Sequence, residues 1–188
     1  MGRAVTPAQL GDLVGAPPGS RVRVASRSSD EFRIYLNGPG YEATRTVTRK
    51  ANGDLVIHND EFRTQKTGTG LGLSIFAGQV ETAAKLGVAR IDTYAARGPT
   101  WNGYWTWPRF GYDGPIPARN VPNLPPSLAG ATRMSDLFRT KEGRDWWSKN
   151  GQSLDLIFDL TEGSLSRKVL AAYQAEKAAL TAGPQIPK

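Results

Sequence analysis

The sequence predicts an α+β protein with a mixed, mostly antiparallel sheet and flanking helices, and three observations lead there. Between residues 21 and 62, runs of alternating polar and apolar residues recur, separated by Gly, Asn and Pro, as in short paired strands. From Leu73 the period changes: Leu73, Phe76, Ala77, Val80, Ala83 and Ala84 follow the i, i+3, i+4, i+7 spacing of an amphipathic helix. Strand patterning then resumes in Val88 to Ala95. A strand, a helix and a strand in succession imply one parallel crossover in an otherwise antiparallel sheet.

Each element has its own signal. Residues 1–20 place Pro7, Pro17, Pro18 and several glycines around the apolar patch Leu10, Leu13, Val14, which predicts an N-terminal extension made of a short helix and a turn. Strands are expected at 21–25, 32–36, 41–49 and 54–62, with Asn37-Gly38-Pro39-Gly40 and Asn52-Gly53 as turns. The helix of 73–87 is expected to stop at Gly87, with Ser74, Gln79, Glu81 and Lys85 off its apolar face. Prolines at 115, 117, 122, 125 and 126 predict an extended connection within an insertion at 115–153. Met134 to Asn150 reads as one helix, and Leu154 to Leu160 as a strand that completes the same sheet. Ser164 is placed to cap a last helix carrying Leu165, Val169 and Tyr173, and the Gly183-Pro184 region is expected to fray. The expected organisation is thus the extension followed by a single domain over 21–188.

Composition narrows the function classes. With 188 residues, 39% hydrophobic, 22% charged and 9% aromatic, the chain can bury one good core. No run approaches the ~18 apolar residues of a membrane span, and the N-terminus lacks the apolar stretch of a signal peptide, so the expected location is cytoplasmic. The absence of cysteine excludes disulfides and thiolate metal sites, and a lone histidine, His58, argues against zinc. The net charge of +7 suits a solvated surface, the steering of a small polyanion, or nucleic acid. Because Arg21, Arg23, Arg27, Arg33, Arg45, Arg49, Lys50, Arg63 and Lys66 are dispersed, the solvated surface is the plainer reading.

The run Gln65-Lys66-Thr67-Gly68-Thr69-Gly70-Leu71-Gly72 lies between an expected strand and an expected helix. Its glycines let the main chain approach a ligand, and the unclaimed N–H groups at a helix start attract anions, phosphate above all. No Lys-Ser/Thr follows the glycines, so this is not a P-loop, and Leu73 stands where a dinucleotide fingerprint needs its last glycine. Ser74 lacks the G-x-S-x-G turn of a hydrolase nucleophile.

Gln65-Lys66-Thr67-Gly68-Thr69-Gly70 resembles the pyrophosphate loop of the GCN5-related N-acetyltransferases: Gln or Arg, two residues, Gly, one residue, then Gly or Ala. The order strand, loop, helix, strand is that family's too, and the segment from Asn102 to Tyr112, with Gly111-Tyr112 for Gly-Phe, stands where the family closes its acyl site. The resemblance covers about residues 21 to 114. It implies an acyl-CoA N-acyltransferase-like fold, acetyl-CoA as acyl donor and an amine acceptor whose identity it leaves open. It further implies that Gln65 and the amides of Thr67, Gly68, Thr69, Gly70, Leu71 and Gly72 hold the pyrophosphate, and that Ile91 to Ala95 line the pantetheine arm. The reaction it implies is direct attack of the amine on the thioester, with no covalent enzyme intermediate.

The family often has a tyrosine four residues before the Gly of Gly-Phe as the acid for the leaving thiolate; here that residue is Trp107, whose indole N–H is a poor acid. Tyr104 is the substitute the sequence offers, with Tyr112 nearby. His58 and Glu61, with Asp60 between them, are the candidate bases, although each also reads as an ordinary strand-face or turn residue.

Three other readings compete. A catalytically inactive member of the same fold would serve as a binding or virion-associated module; Phe158-Asp159-Leu160 followed by Gly163-Ser164-Leu165-Ser166 is faintly similar to segments of phage multidomain proteins. Gly68 to Ile75, with Asn37 to Gly40, resembles the glycine boxes of histidine-kinase-type ATPases, but Leu36 replaces their adenine-reading aspartate. Trp101, Tyr104, Trp105, Trp107, Phe110 and Tyr112 resemble a base-stacking platform, although no basic run interleaves them and core packing is the simpler use.

Overall fold

The computed structural model describes Pro7–Ala182. The chain is α+β with a mixed, mostly antiparallel sheet and flanking helices. It divides into two compact units, the first running to Thr93 with Asp159–Thr161, the second comprising Tyr94–Phe158 and the chain from Glu162 onward. The expectation for Gly183-Pro184 lies outside the described residues, as does the first part of the 1–20 extension.

The first unit holds α1 (Pro7–Leu13), β1 (Arg21–Ser26), β2 (Glu31–Gly38), β3 (Tyr41–Arg49), β4 (Leu55–Thr64), α2 (Leu71–Lys85) and most of β5 (Val88–Ala95). The four expected strands form, paired antiparallel as neighbours, and the last runs two residues past the expected Phe62. Alternation along β3 shows the logic: Tyr41, Ala43, Arg45 and Val47 are buried, and the residues between them face outward. The inner face joins Ile34, Leu36, Ile57 and Ile91 to the buried side of α2, with Leu10 and Leu13 of α1 also buried.

Helix α2 begins at Leu71, two residues before the expected start. Gly70 adopts the left-handed conformation at φ 79°, and its carbonyl accepts from the Ser74 N–H at 3.0 Å, so the first turn closes there. The end is as expected, with Gly87 at φ 73° and its N–H donating to the Ala84 carbonyl at 3.1 Å. The crossover then lays β5 parallel to β4, from Leu55↔Val88 to Asn59↔Thr93.

In the second unit the small hairpin β6 (Arg97–Gly98) and β7 (Trp101–Asn102) leads into α3 (Gly103–Arg109), and two short 3-10 turns interrupt the proline-rich connection. The single helix expected over 134–150 is two, α4 (Met134–Phe138) and α5 (Lys141–Asn150). Thr140 breaks them apart: it is extended, its Oγ1 accepts from the Gly143 N–H at 3.0 Å, and it is the N-cap of α5. Gly143 packs so tightly that a Cβ would lie 2.1 Å from the Leu137 carbonyl oxygen. Asp136 closes the start of α4, accepting from the backbone N–H of Thr132 and of Arg133, each at 3.0 Å. The Thr132 bond foremost, then that of Arg133, holds its carboxyl below the ordinary carboxylate range against an opposing effect of burial.

Trp147 is wholly buried in α5 and its Nε1 donates to the Tyr104 carbonyl at 2.9 Å. Arg97 donates to the carbonyls of Lys149 and Gly151, closing the C-terminus of that helix. Strand β8 (Leu154–Asp159) and helix α6 (Leu165–Ala182) follow, the Ser164 Oγ accepting from the Arg167 N–H at 3.3 Å as the capping signal predicts. No helix among the described residues is long and apolar enough to cross a membrane.

Candidate functional site

The glycine run sits where β4 hands over to α2. Gln65 is anchored first, its N–H donating to the Gly40 carbonyl at 2.9 Å, which lays the β2–β3 turn beside the loop. Gly68 and Gly70 take φ values of 77° and 79°, accessible to glycine at little cost, and a Cβ on either would meet nothing within 4 Å. That combination means the loop is bare on its outer side. Thr69 folds inward: its Oγ1 lies 3.4 Å from both the Lys66 carbonyl and the Leu71 N–H. Among the described residues, the N–H groups of Thr67, Gly68, Thr69, Gly70, Gly72 and Leu73 have no acceptor in the chain. Gly72 is needed for another reason, since a Cβ there would press to 3.2 Å from the Phe62 ring.

What ties the middle of this helix to β4 is a buried pair that sequence reading missed. Asn59 of β4 and Gln79 of α2 exchange amides, Asn59 Nδ2 to Gln79 Oε1 at 3.0 Å and Gln79 Nε2 to Asn59 Oδ1 at 2.9 Å. Gln79, expected off the apolar face, is fully buried. The spacing held the signal, because Gln79 is three residues after Phe76 and four before Ala83. Burial in a low dielectric makes each amide depend on the other. Asn59→Ala is therefore expected to cost about 1–3 kcal/mol by orphaning Gln79, and Asn59→Ala with Gln79→Leu to recover part of that loss in urea unfolding.

The pairing with β5 stops at Asn59, and β4 continues to Thr64 paired with β3 only. A bulge falls at the same point, because Arg45 pairs with Asn59 and Thr44 with Glu61, leaving Asp60 without an opposite residue. The bulge turns Asp60 toward His58: Nδ1 and Oδ1 lie 3.0 Å apart. Asp60 is itself held, accepting from Thr46 Oγ1 at 2.8 Å with Arg33 Nε 3.9 Å away. Glu61 pairs instead with Arg63 at 2.5 Å. His58 keeps 39% of its side chain exposed. The structure therefore brings His58 and Asp60 together on β4, on either side of the last residue paired with β5, and commits Glu61 to an arginine.

The remaining candidates belong to the second unit. Tyr104 lies in the first turn of α3, its ring under Arg97 and its hydroxyl donating to the Ser148 carbonyl at 3.1 Å. Trp107 is buried against Phe110 and Tyr112, with ring centroids 5.8 and 5.2 Å away, and Tyr112 is buried as well. Gly111 takes φ 98°, and a Cβ there would stand 2.3 Å from the Ser166 carbonyl oxygen, so Gly111-Tyr112 is a close-packed turn at the start of α6. Core packing is thus the role of Trp107, Phe110 and Tyr112, while Trp101, Tyr104 and Trp105 are half-buried. No group of three or more metal-ligating side chains occurs among the described residues. No protein-family model matches the chain, and no curated protein matches it.

Proposed function

We propose that the protein is an acyl-CoA-dependent N-acyltransferase that moves an acetyl group from acetyl-CoA to an amine. The observation that carries this reading is the bare, amide-lined turn of Thr67 to Gly72 at the start of a fifteen-residue helix, beside a strand whose pairing with β5 has ended. A pyrophosphate binds to N–H donors at a positive helix end, and the turn supplies a helix start with N–H groups that have no acceptor in the chain. The edge of β4 beyond Asn59 carries backbone groups that the amides of a pantetheine arm can pair with, as an added strand does.

In this mechanism the amine lone pair attacks the thioester carbonyl carbon, the C–S bond breaks, and the thiolate leaves. The proton shed by the amine goes to His58. Asp60, accepting from Nδ1–H, holds the imidazole in the tautomer that keeps its lone pair on Nε2 and stabilises the cation that forms. The Tyr104 hydroxyl is already engaged with the Ser148 carbonyl, so the thiolate takes its proton from the imidazolium. That hydrogen bond, with the burial of Trp107, favours a second reading, a non-catalytic module that retains the cofactor turn.

The test follows release of the CoA thiol from acetyl-CoA in the presence of a panel of amines. His58→Gln is expected to lower kcat/KM for the amine by about 10²–10⁴-fold while leaving acetyl-CoA affinity unchanged, with Asp60→Asn giving a smaller loss of the same kind. Binding of acetyl-CoA without turnover on any amine supports the non-catalytic module. Full activity in His58→Gln removes the dyad from the mechanism.

A further inference from the structure

The outer face of the four-strand meander carries a depression of about 340 Å3 that the mechanism above does not use. Its lining follows from the strand register. Arg23, Tyr35, Thr44 and Glu61 are cross-strand neighbours in one row, and Arg21, Asn37 and Glu42 lie in the next. With strands about 4.8 Å apart, a row spans ~14 Å from β1 to β4. Charge is sorted along it, with arginines on β1 and the carboxylates of Glu42 and Glu61 on β3 and β4, where Arg63 stands opposite Glu42 and pairs with Glu61.

Internal neutralisation reaches only Glu61, which Arg63 engages. Among the described residues, Arg21, Arg23 and Glu42 have no oppositely charged side chain within ion-pair distance. Arg23 lies over the Tyr35 ring, 3.8 Å from its centroid, which draws the cationic end inward along the row. Asn37 Nδ2 donates to Glu42 Oε1 at 3.2 Å and steadies that carboxylate on the opposite side. Thr44 and the Tyr35 ring form the floor between the two charged ends.

We infer that this depression holds the acceptor, and that the acceptor is an ω-amino carboxylate: its acid rests on Arg21 and Arg23, its chain crosses Tyr35, and its amine lies between Glu42 and Glu61, sharing Glu61 with Arg63. The inference rests on the acyltransferase reading and deepens it by naming the class of amine. The geometry disfavours an α-amino acid, whose two charges stand too close together to reach both ends. Glu61 is on the same strand as His58 and immediately follows Asp60, so an amine drawn to Glu61 arrives beside the base. The ammonium gives a proton to His58, its freed lone pair attacks the thioester carbonyl carbon, and as the C–S bond breaks the thiolate takes up the second proton lost by the nitrogen; the products are the N-acyl carboxylate, the CoA thiol and one proton released to solvent.

The experiment titrates 6-aminohexanoate, hexylamine, hexanoate and glycine into the full chain, reading backbone amide shifts by NMR with and without CoA, and assays the amines with acetyl-CoA. Expected are amide shifts at Tyr35, Thr44 and Glu61 with 6-aminohexanoate, and a kcat/KM for it about tenfold or more above that of hexylamine. Arg23→Gln, a change on an exposed face, removes that preference and leaves the acetyl-CoA thermal shift in place; Glu61→Gln is the substitute if that variant does not fold. Equal use of hexylamine, or no shifts at the depression while acetyl-CoA still binds, overturns the inference and leaves the acyltransferase reading standing. Shifts at the depression without any acetyl-CoA binding overturn both the acceptor role and the acyltransferase reading.

Discussion

Gly70→Val is expected to abolish stabilisation by acetyl-CoA. For the unmodified chain, ligand at a hundred times its dissociation constant adds about 2.7 kcal/mol, which for a protein of this size raises the melting temperature by roughly 5–10 °C. The substitution acts in two separable ways. Holding a branched residue at φ 79° costs about 1–2 kcal/mol, so the variant starts less stable. Its side chain then projects from a position where a Cβ touches nothing within 4 Å, into the space where a pyrophosphate would lie against the amides. The comparison is therefore the ligand-induced shift of each protein against its own unliganded melt. Gly78→Ala is the control: Gly78 is in the same helix, a Cβ there also meets nothing within 4 Å, and the change should raise the baseline by about 0.5–1 kcal/mol while keeping the shift. A Gly70→Val protein that responds fully to acetyl-CoA would place the ligand elsewhere, and an unmodified chain with no response would end the acyl-CoA reading.

Trp147→Ala is expected to be the most destabilising single change in the second unit, at about 3–5 kcal/mol. The indole is wholly buried, so its removal forfeits a large apolar area and leaves a cavity. It also deprives the Tyr104 carbonyl of its 2.9 Å donor. Against a total stability on the order of 5–15 kcal/mol for a typical protein, a loss of that size is a large fraction of the whole. Trp147→Phe separates the two contributions, since it keeps an aromatic ring and gives up the N–H; about 1 kcal/mol of the loss is assigned to the hydrogen bond. Trp146→Ala should cost less than half as much, because Trp146 is only partly buried and meets Trp147 at a ring separation of 6.3 Å. Urea unfolding of the three variants measures this order directly. Equal losses at 146 and 147 would contradict the packing described for α5.

The Trp146-Trp147 pair illustrates how far the sequence reaches. Two adjacent tryptophans announce a buried site, but a one-residue difference on a helix is a turn of 100°, and only the packing of α5 decides which ring goes in. The same limit applies at Met134 to Asn150, where a helical pattern continues through Thr140 and the break comes from a cap together with a backbone contact between Gly143 and Leu137. Asp60 looked like a solvated turn residue beside His58. A bulge in the β3–β4 register makes it the partner of that imidazole, and a bulge leaves no mark in a single strand's alternation. Gln79 is the opposite case, since its helical spacing was in plain view and its polarity concealed its burial.

The strands of the meander, the crossover helix, the glycine-lined turn and the caps at Gly87 and Ser164 were determined by the sequence alone, because each depends on the periodicity or backbone freedom of residues close together in the chain. Tertiary structure alone decided the Asn59–Gln79 clamp, the pairing of His58 with Asp60, and the sorting of Arg21 and Arg23 against Glu42 and Glu61 across one face. Those depend on which residues strand pairing sets side by side, and that register is a property of the assembled sheet rather than of any one segment.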